Sequence, residues 1–302
     1  MSGTAIGKGR LPVKMYLCFE QRMERTFAYA PVLPLDRNTR YILFSDCHRG
    51  VGDNNDNFLR NEFLYVAALE TYFRKGYTYI ELGDGDELWE NRSMKPIRQV
   101  HQQSFEMLEK FEWAGRFYMV YGNHDMAKRK GRALPGIILK DVEGGQDIYL
   151  THGHQADLLN STFWRLSKFL VRYVWRPLER LGVSDPTSAA KNNTKKRKTE
   201  QRLSDWAKER GHLLIAGHTH HPMGGDDGSS YFNTGSCIHP GAITGIEIDH
   251  RCIALVRWSL SVREDLSLCA VREVISERVC MGISGKKENA SLDYPDSRLL
   301  QN

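Results

Sequence analysis

Five short polar clusters, each placed directly after an apolar run, constrain the fold of this chain more than any other feature. The apolar runs are residues 41–44, 79–82, 117–121, 148–150 and 213–216. Runs of this length, bounded by glycine and polar residues, predict buried strands. Because each cluster follows the end of a strand, we expect the five clusters to meet at one edge of a sheet.

The clusters are rich in side chains that bind metal ions. They are Asp46-Cys47-His48, Gly83-Asp84, Gly122-Asn123-His124-Asp125, His152-Gly153-His154 and Gly217-His218-Thr219-His220. Residues two apart on an extended segment point to the same side, so Asp46 and His48 can bind one ion together, and His218 and His220 repeat this geometry. Asp84, after a glycine at a strand end, is the expected bridging carboxylate. Imidazole, carboxylate and amide ligands without a thiolate favour Mn, Fe, Zn or Co over Mg alone or Ca.

Helical patterns alternate with the strands. Apolar residues recur at helical spacing from Phe58 to Lys75, and Gly76 stands where a C-terminal cap would. A second helix is predicted from Gln99 to Trp113, and short strands return after His220. This alternation predicts a layered α/β domain.

The segment 155–210 differs, because it contains no strand pattern. An apolar stripe at helical spacing runs beside basic residues that include Arg165 and Arg172. We predict a helical cap inserted into the domain. Three interpretations of its basic face stay open: an ordinary solvated face, a grip for anionic substrate, or an interfacial anchor on anionic lipid that uses Trp164, Phe169 and Trp175.

Composition sets the remaining bounds. With 302 residues, of which 41% are hydrophobic, the chain can bury a large core, and we expect one domain over residues 40–262. Residues 1–39 are predicted to be a loosely packed leader, and residues 263–302 a C-terminal extension with a disordered tail.

The net charge of +5 is too small to argue for nucleic-acid binding. The six cysteines form no tight framework, and we find no signal peptide or spanning segment, which predicts a cytoplasmic protein without disulfides.

Taken together, the motifs D-x-H, G-D, G-N-H-D, H-G and G-H-x-H resemble those of the calcineurin-like metallophosphoesterases over residues 40–260. The resemblance implies a two-layer β sandwich flanked by helices, a four-layer αββα arrangement, with the site at the carboxyl ends of the strands. It implies two divalent ions, with Mn as the expected metal and Fe, Zn or Co as alternatives. One ion would be held by Asp46, His48, Asp84 and His220, and the other by Asp84, Asn123, His152 and His218.

The same resemblance implies a reaction. A hydroxide that bridges the two ions would attack phosphorus in line. His124 would hold the phosphate or protonate the leaving oxygen, and Asp125 would orient the His124 imidazole.

One branch of the family resembles this chain further. Residues 83–89, Gly-Asp-Gly-Asp-Glu-Leu-Trp, are similar to the G-D-x-x-D-L-W stretch of UDP-2,3-diacylglucosamine pyrophosphohydrolases, with Glu87 where that branch has Asp. The likeness implies a nucleotide-diphosphate-linked lipid or another pyrophosphate as substrate. The candidate substrate contacts are Arg49, Trp89, His154, Arg165 and Arg172.

We therefore predict a metal-dependent phosphoester or pyrophosphate hydrolase that acts on a phosphorylated small molecule or a lipid-linked substrate. Peripheral contact of the protein with a membrane surface stays an open interpretation. The alternatives are a nuclease or cyclic-nucleotide phosphodiesterase, and a metal-bound scaffold on a protein or membrane partner. Nucleic acid is not favoured as a partner, because no aromatic residues interleave with the basic run 195–198.

Overall fold

The computed structural model of the chain describes residues 17–175, 192–226 and 228–281. Two β-sheets pack face to face, and helices cover both outer faces. The strands are β1 (Val32–Leu35), β2 (Arg40–Phe44), β3 (Thr78–Leu82), β4 (Phe117–Val120), β5 (Ile137–Asp141), β6 (Ile148–Leu150), β7 (Leu213–Ala216), β8 (Tyr231–Asn233), β9 (Ala242–Asp249), β10 (Cys252–Val262), β11 (Leu268–Val274) and β12 (Val279–Cys280).

The helices connect these strands and supply the outer layers. They are α1 (Phe19–Phe27), α2 (Glu62–Arg74), α3 (Met94–Val100), α4 (Gln102–Trp113), α5 (Leu158–Ser161), α6 (Trp164–Leu170), which continues as a π-helix over Val171–Trp175, and α7 (Asn193–Arg210). A 3₁₀ turn at Leu59–Asn61 precedes α2, and the predicted second helix is two helices that meet at His101.

The larger sheet has the strand order β11-β10-β9-β2-β3-β4, with β12 beside β10. Strands β2, β3 and β4 are parallel, whereas β9, β10 and β11 are antiparallel. The smaller sheet has the order β1-β5-β6-β7-β8, in which only β5 and β6 pair antiparallel. Parallel strands bring their carboxyl ends to the same edge, so the loops after β2, β3 and β4 lie together.

Strand β2 shows how the layers form. Its alternate residues Ile42 and Phe44 face the helix α2 side, while Tyr41 and Leu43 face the second sheet. A strand that is buried on both faces consists of consecutive apolar residues, and residues 41–44 show this pattern in the sequence. The predicted fold class, a two-layer sandwich flanked by helices, is confirmed.

Segments from both ends of the described chain join the sheets, whereas we predicted a leader that packs loosely over residues 1–39 and a C-terminal extension over residues 263–302. Within residues 1–39, α1 packs on the smaller sheet and β1 pairs with β5. At the other end, β10 runs to Val262 and β11 pairs with it along seven residues. Residues 282–302, where we predicted a disordered tail, lie outside the described residues. We did not predict strand β1, because Pro34 interrupts its apolar pattern.

The cysteine prediction is wrong for one pair. Cys252 on β10 and Cys280 on β12 face each other across the antiparallel pair and form a disulfide. Cys47 and Cys237 are free and buried. Within the part of the chain that the structure describes, no helix combines the length and apolarity needed to cross a bilayer.

The predicted insertion 155–210 contains helices and, in its described part, no strand. Helices α5 and α6 form its first half and α7 forms its second half. Residues 176–191 lie outside the described residues.

A buried histidine joins two helices and a loop. His101, between α3 and α4, lies 2.8 Å from a carboxylate oxygen of Asp56 and 3.1 Å from one of Glu62. Burial lowers the pKa of His101, but the hydrogen bonds to both carboxylates raise it by more, to about 9. Since an unfolded histidine has a pKa of about 6.5, the charged imidazole stabilises the fold fully below that pH, and this contribution is lost as the pH rises through about 9.

We therefore predict that the free energy of unfolding lost in His101→Gln depends on pH. The loss should be larger near pH 6 than near pH 9.5 by roughly 2 to 3 kcal/mol, measured by urea unfolding of both proteins. His212→Gln is the control, because burial lowers the pKa of His212 and its contribution is constant over the alkaline half of this range. A His101→Gln deficit that does not change with pH would contradict a charged His101.

Candidate metal centre

The predicted metal ligands converge where the two sheets meet. Three of their loops follow β2, β3 and β4 of the larger sheet, and two follow β6 and β7 of the smaller sheet. The ligands therefore come from the edges of two facing sheets, which corrects the expectation of one sheet edge.

One group of ligand atoms belongs to Asp46, His48 and His220. Asp46 Oδ1 lies 3.1 Å from His220 Nε2 and 3.7 Å from His48 Nε2. The two Nε2 atoms lie 3.3 Å apart. Ser45 Oγ and the His218 backbone amide bind the other Asp46 oxygen, so Oδ1 alone faces the imidazoles. This is the set predicted for the first ion, without its bridging carboxylate.

The second group belongs to Asp84, His152 and His218. His152 Nε2 lies 3.1 Å from Asp84 Oδ2, and His152 Nδ1 lies 3.0 Å from the carbonyl oxygen of Leu82. A proton on Nδ1 that bonds this carbonyl leaves Nε2 free to bind a metal ion. Asp84 Oδ2 also lies 3.9 Å from His48 Nε2, so Asp84 stands between the two groups, as a bridging ligand must.

Four of these buried atoms make no well-aligned hydrogen bond with any described residue. A buried polar atom without a partner costs about 1 to 3 kcal/mol, so natural proteins rarely leave several together. A divalent cation would satisfy all of them at once, because each is a lone-pair donor of the kind that such ions bind. The residues therefore fit a metal centre. The four atoms are Asp46 Oδ1, Asn123 Oδ1, His152 Nε2 and His218 Nε2.

Most of the ligand residues also adopt a backbone conformation that side chains rarely tolerate. A positive φ in a residue other than glycine is uncommon and persists where the surrounding structure enforces it, often at functional sites. The five ligands in this conformation are Asp46 (φ 52°), His48 (φ 48°), Asp84 (φ 51°), His218 (φ 69°) and His220 (φ 55°).

Two glycines permit the close approach of the ligand loops. A Cβ at Gly122 would collide with Asp84, and a Cβ at Gly217 would collide with Ser45 and Asp46. The glycines of G-N-H-D and G-H-x-H thus make room for carboxylates on neighbouring loops.

The electrostatics keep the carboxylates charged. Burial raises the pKa of Asp46, but His220 and His152 lower it by more, so it lies well below the usual range. The pKa of Asp84 is lowered in the same way by His152 and His124. Burial lowers the pKa of His218, which keeps its imidazole neutral and able to bind a metal ion.

The family model for the calcineurin-like phosphoesterase superfamily domain matches residues 40–258. The chain belongs to the calcineurin-like phosphoesterase superfamily. Such proteins typically bind divalent metal ions, in agreement with the ligand groups described above. No curated protein matches the chain.

Solved structures of the protein Vps29 from Chaetomium thermophilum are similar in part. One has 10% sequence identity and a TM-score of 0.42, and covers 81% of this chain and 100% of its own. Another, complexed with a RaPID-derived cyclic peptide, has 10% identity and a TM-score of 0.36, and covers 81% of this chain and 98% of its own.

His124 stands at the rim of the candidate metal centre, between an aromatic ring and a carboxylate. Its ring stacks on Trp89 with a centroid distance of 4.3 Å, and its Nδ1 lies 2.7 Å from Glu87 Oε2. Glu87 Oε2 also lies 3.0 Å from His48 Nδ1. Burial lowers the pKa of His124, but Glu87 and Asp84 raise it by more, so the imidazole tends to hold a proton.

Asp125 does not orient His124, contrary to the prediction. Its carboxylate accepts hydrogen bonds from the backbone amides of Gly122 (2.7 Å) and Gly85 (3.2 Å) and from Lys128 Nζ (2.8 Å). Asp125 therefore fixes the loop that carries His124, and Glu87 contacts the imidazole. The sequence signal for Glu87 is its place three residues after Asp84, where the similar G-D-x-x-D-L-W motif has Asp.

Arg49 is not placed to bind substrate. It is fully buried, and its guanidinium donates to Glu81 (2.8 Å) and Asp86 (2.7 Å). Lys128 Nζ lies 2.6 Å from Asp86 and so links this ion pair to Asp125. The buried charges form a network below the metal loops.

The other predicted substrate contacts are placed differently. His154 is buried beside His152 with ring centroids 5.6 Å apart, and burial lowers the pKa of His154 to about 3. Trp89 is buried against His124. Arg172 binds the backbone carbonyls of Leu88 and Trp89, whereas Arg165 is exposed and lies over the Trp164 ring. Of these residues, only Trp89 contacts a predicted catalytic side chain.

Sequence reasoning missed a glutamate on α7. Glu200 Oε1 accepts hydrogen bonds from Thr219 Oγ1 (2.8 Å) and lies 3.1 Å from His221 Nδ1. Thr219 is fully buried and separates the ligands His218 and His220. The second half of the insertion thus holds the strained loop that carries two metal ligands. No local pattern connects residue 200 with residue 219, so only the tertiary structure could show this contact.

We predict that Glu200→Ala weakens Mn²⁺ binding roughly 10-fold, because partners that orient metal ligands have effects of this size. Glu200→Gln keeps an acceptor oxygen for Thr219 and should keep most of the affinity. Isothermal titration calorimetry with MnCl₂ measures both. Glu209→Ala, an exposed glutamate on the same helix, is the matched control. Wild-type affinity in Glu200→Ala would show that the contact does not position the ligands.

Proposed function

We propose that the protein is a dinuclear metal-dependent hydrolase of phosphoester or pyrophosphate bonds. The observation that supports this most strongly is the set of buried ligand atoms, at the meeting edge of the two sheets, that make no well-aligned hydrogen bond with any described residue. Asp46, His48 and His220 would hold one ion, and Asn123, His152 and His218 the other, with Asp84 shared. Divalent ions held there lower the pKa of a bound water and neutralise phosphate charge. We propose Mn as the ion, with Fe, Zn or Co as alternatives.

In this proposal His124 provides the proton for the leaving oxygen. Its Nδ1 contacts Glu87, which leaves Nε2 for the substrate. Glu87 and Trp89 together fix the ring: the carboxylate sets the direction of the imidazole and the indole packs against its face. A scaffold has no need of a positioned proton donor, so this pair of contacts favours an enzyme over the metal-bound scaffold.

We further propose that the substrate is a phosphate compound with an apolar part, such as a nucleotide-diphosphate-linked lipid. In the first half of the insertion, the charged side chains near the site are basic, and they lie beside apolar side chains of the same helix. Lys168 lies close enough to Glu87 for their charges to interact, and Arg172 holds the backbone at Trp89. Positive groups beside apolar ones suit a molecule that carries both phosphate and hydrocarbon.

Two substitutions test the mechanism. Asp84→Asn should lose Mn²⁺ binding and hydrolysis together, because a neutral amide cannot bridge two cations. His124→Ala should bind Mn²⁺ normally and lose roughly 10²- to 10⁴-fold in kcat, the usual contribution of a positioned proton donor. Calorimetry and steady-state kinetics measure the two quantities separately. Full activity in either variant would contradict the assigned roles.

A substrate comparison tests the bond that is cleaved. The Mn²⁺-loaded protein should hydrolyse a nucleotide-diphosphate-linked glycolipid faster than a phosphomonoester or a simple phosphodiester, with His124→Ala as the background control. Preference for nucleotide diesters would instead favour a nuclease or cyclic-nucleotide phosphodiesterase. No turnover of any of them by protein that binds Mn²⁺ would favour the scaffold.

A further inference from the structure

Exposed apolar side chains form a strip on the first half of the insertion. Three of them recur at intervals of three or four residues along α6 and its π-helical continuation, so they share one face. The exposed fractions of all six side chains lie between 38% and 55%, although apolar residues of this size are usually buried. We call this set the apolar strip: Leu158, Leu159, Leu166, Phe169, Tyr173 and Val174.

The charged residues between Leu158 and Val174 are all basic. The sequence contains no acidic residue between Asp157 and Glu179. Arg165 is exposed within the strip, and Arg129 and Lys130 are exposed on a neighbouring loop. The Arg129 guanidinium lies 5.4 Å from the centre of the Trp164 ring, which brings that loop against α6. An apolar surface framed by arginine and lysine therefore faces solvent.

The apolar strip also adjoins the metal centre. Between its members Phe169 and Tyr173, Arg172 donates to the carbonyl oxygens of Leu88 and Trp89. Trp89 stacks on His124. One side chain and one short loop thus separate the strip from the catalytic histidine.

We propose that the apolar strip docks the protein on an anionic lipid surface. Apolar side chains on one helix face with basic neighbours match the two layers of such a surface, because the apolar groups enter the acyl boundary while arginine and lysine meet the anionic headgroups. The docking goes beyond the proposed hydrolysis and requires neither metal nor turnover.

The test is flotation of the full chain with lipid vesicles. Vesicles of phosphatidylcholine and phosphatidylglycerol at about 3:1 carry negative charge, and pure phosphatidylcholine vesicles do not. The protein should float with the anionic vesicles and much less with the neutral ones. Raising NaCl from about 0.1 M to about 0.5 M should release a large part of it, because salt screens the charged contacts.

The variant Leu166→Gln/Phe169→Gln removes apolar surface from the strip. We expect the bound fraction to fall roughly five-fold or more, since membrane binding scales with buried apolar area. Phe63→Gln is the matched control: Phe63 on α2 is 58% exposed, Phe169 is 55% exposed, and Phe63 lies outside the strip. The control should bind as the wild type does.

Several results would overturn the proposal: no flotation with anionic vesicles, equal flotation with neutral vesicles, or wild-type binding by the double variant. A loss in Phe63→Gln as large as in the double variant would overturn it too. If gel filtration shows that the double variant abolishes a dimer of the wild type, the strip covers a second copy instead. Asp84→Asn should still float, so failure of docking and failure of the proposed hydrolysis are distinguishable.

Discussion

The candidate metal centre depends on side chains that the fold holds in an unfavourable backbone conformation. Asp46, His48, Asp84, His218 and His220 all have positive φ at strand ends. Such a conformation persists only where many contacts oppose its relaxation. Here the opposing contacts are backbone hydrogen bonds between loops: the Asp46 amide donates to Gly83 O, and the His48 amide donates to Asp84 O. The two parallel strands thus continue their pairing into the loops and aim both carboxylates inward.

The buried polar groups beside these residues have two roles. Some of them fix the loops, and one of them contacts His124, the proposed proton donor. Arg49, Asp86, Lys128 and Asp125 form a chain of buried charges that fixes the loop of His124. Glu87 contacts the imidazole of His124, and it also contacts His48. The position of the proposed proton donor is therefore coupled to a metal ligand through one carboxylate. Two residues of the insertion also contact the candidate site. Glu200 binds Thr219 in the loop that carries His218, and Arg172 binds the backbone carbonyl of Trp89.

The side chains that we predicted as metal ligands could be picked out from the sequence because their pattern is local: Asp, His and Asn at the ends of apolar strands rarely occur in such numbers, and the structure brings them together. It failed where the partner of a charge lies far along the chain. Asp125 adjoins His124 in sequence, yet its carboxylate turns to backbone amides. Arg49 adjoins His48, yet Glu81 and Asp86 bury it. Strand β1 was missed because Pro34 hides its alternation, and the split of the five strands between two sheets follows from pairing that no local pattern encodes.

The central claim is that the converging side chains hold a pair of divalent ions. The most direct measurement is the metal content of the protein after loading with Mn²⁺ and removal of free ions, determined by inductively coupled plasma mass spectrometry. We expect about two Mn ions per chain, as a shared carboxylate between two ligand groups requires. A content well below one ion per chain, in protein shown to be folded, would contradict it, because the buried ligand atoms would then need a different partner.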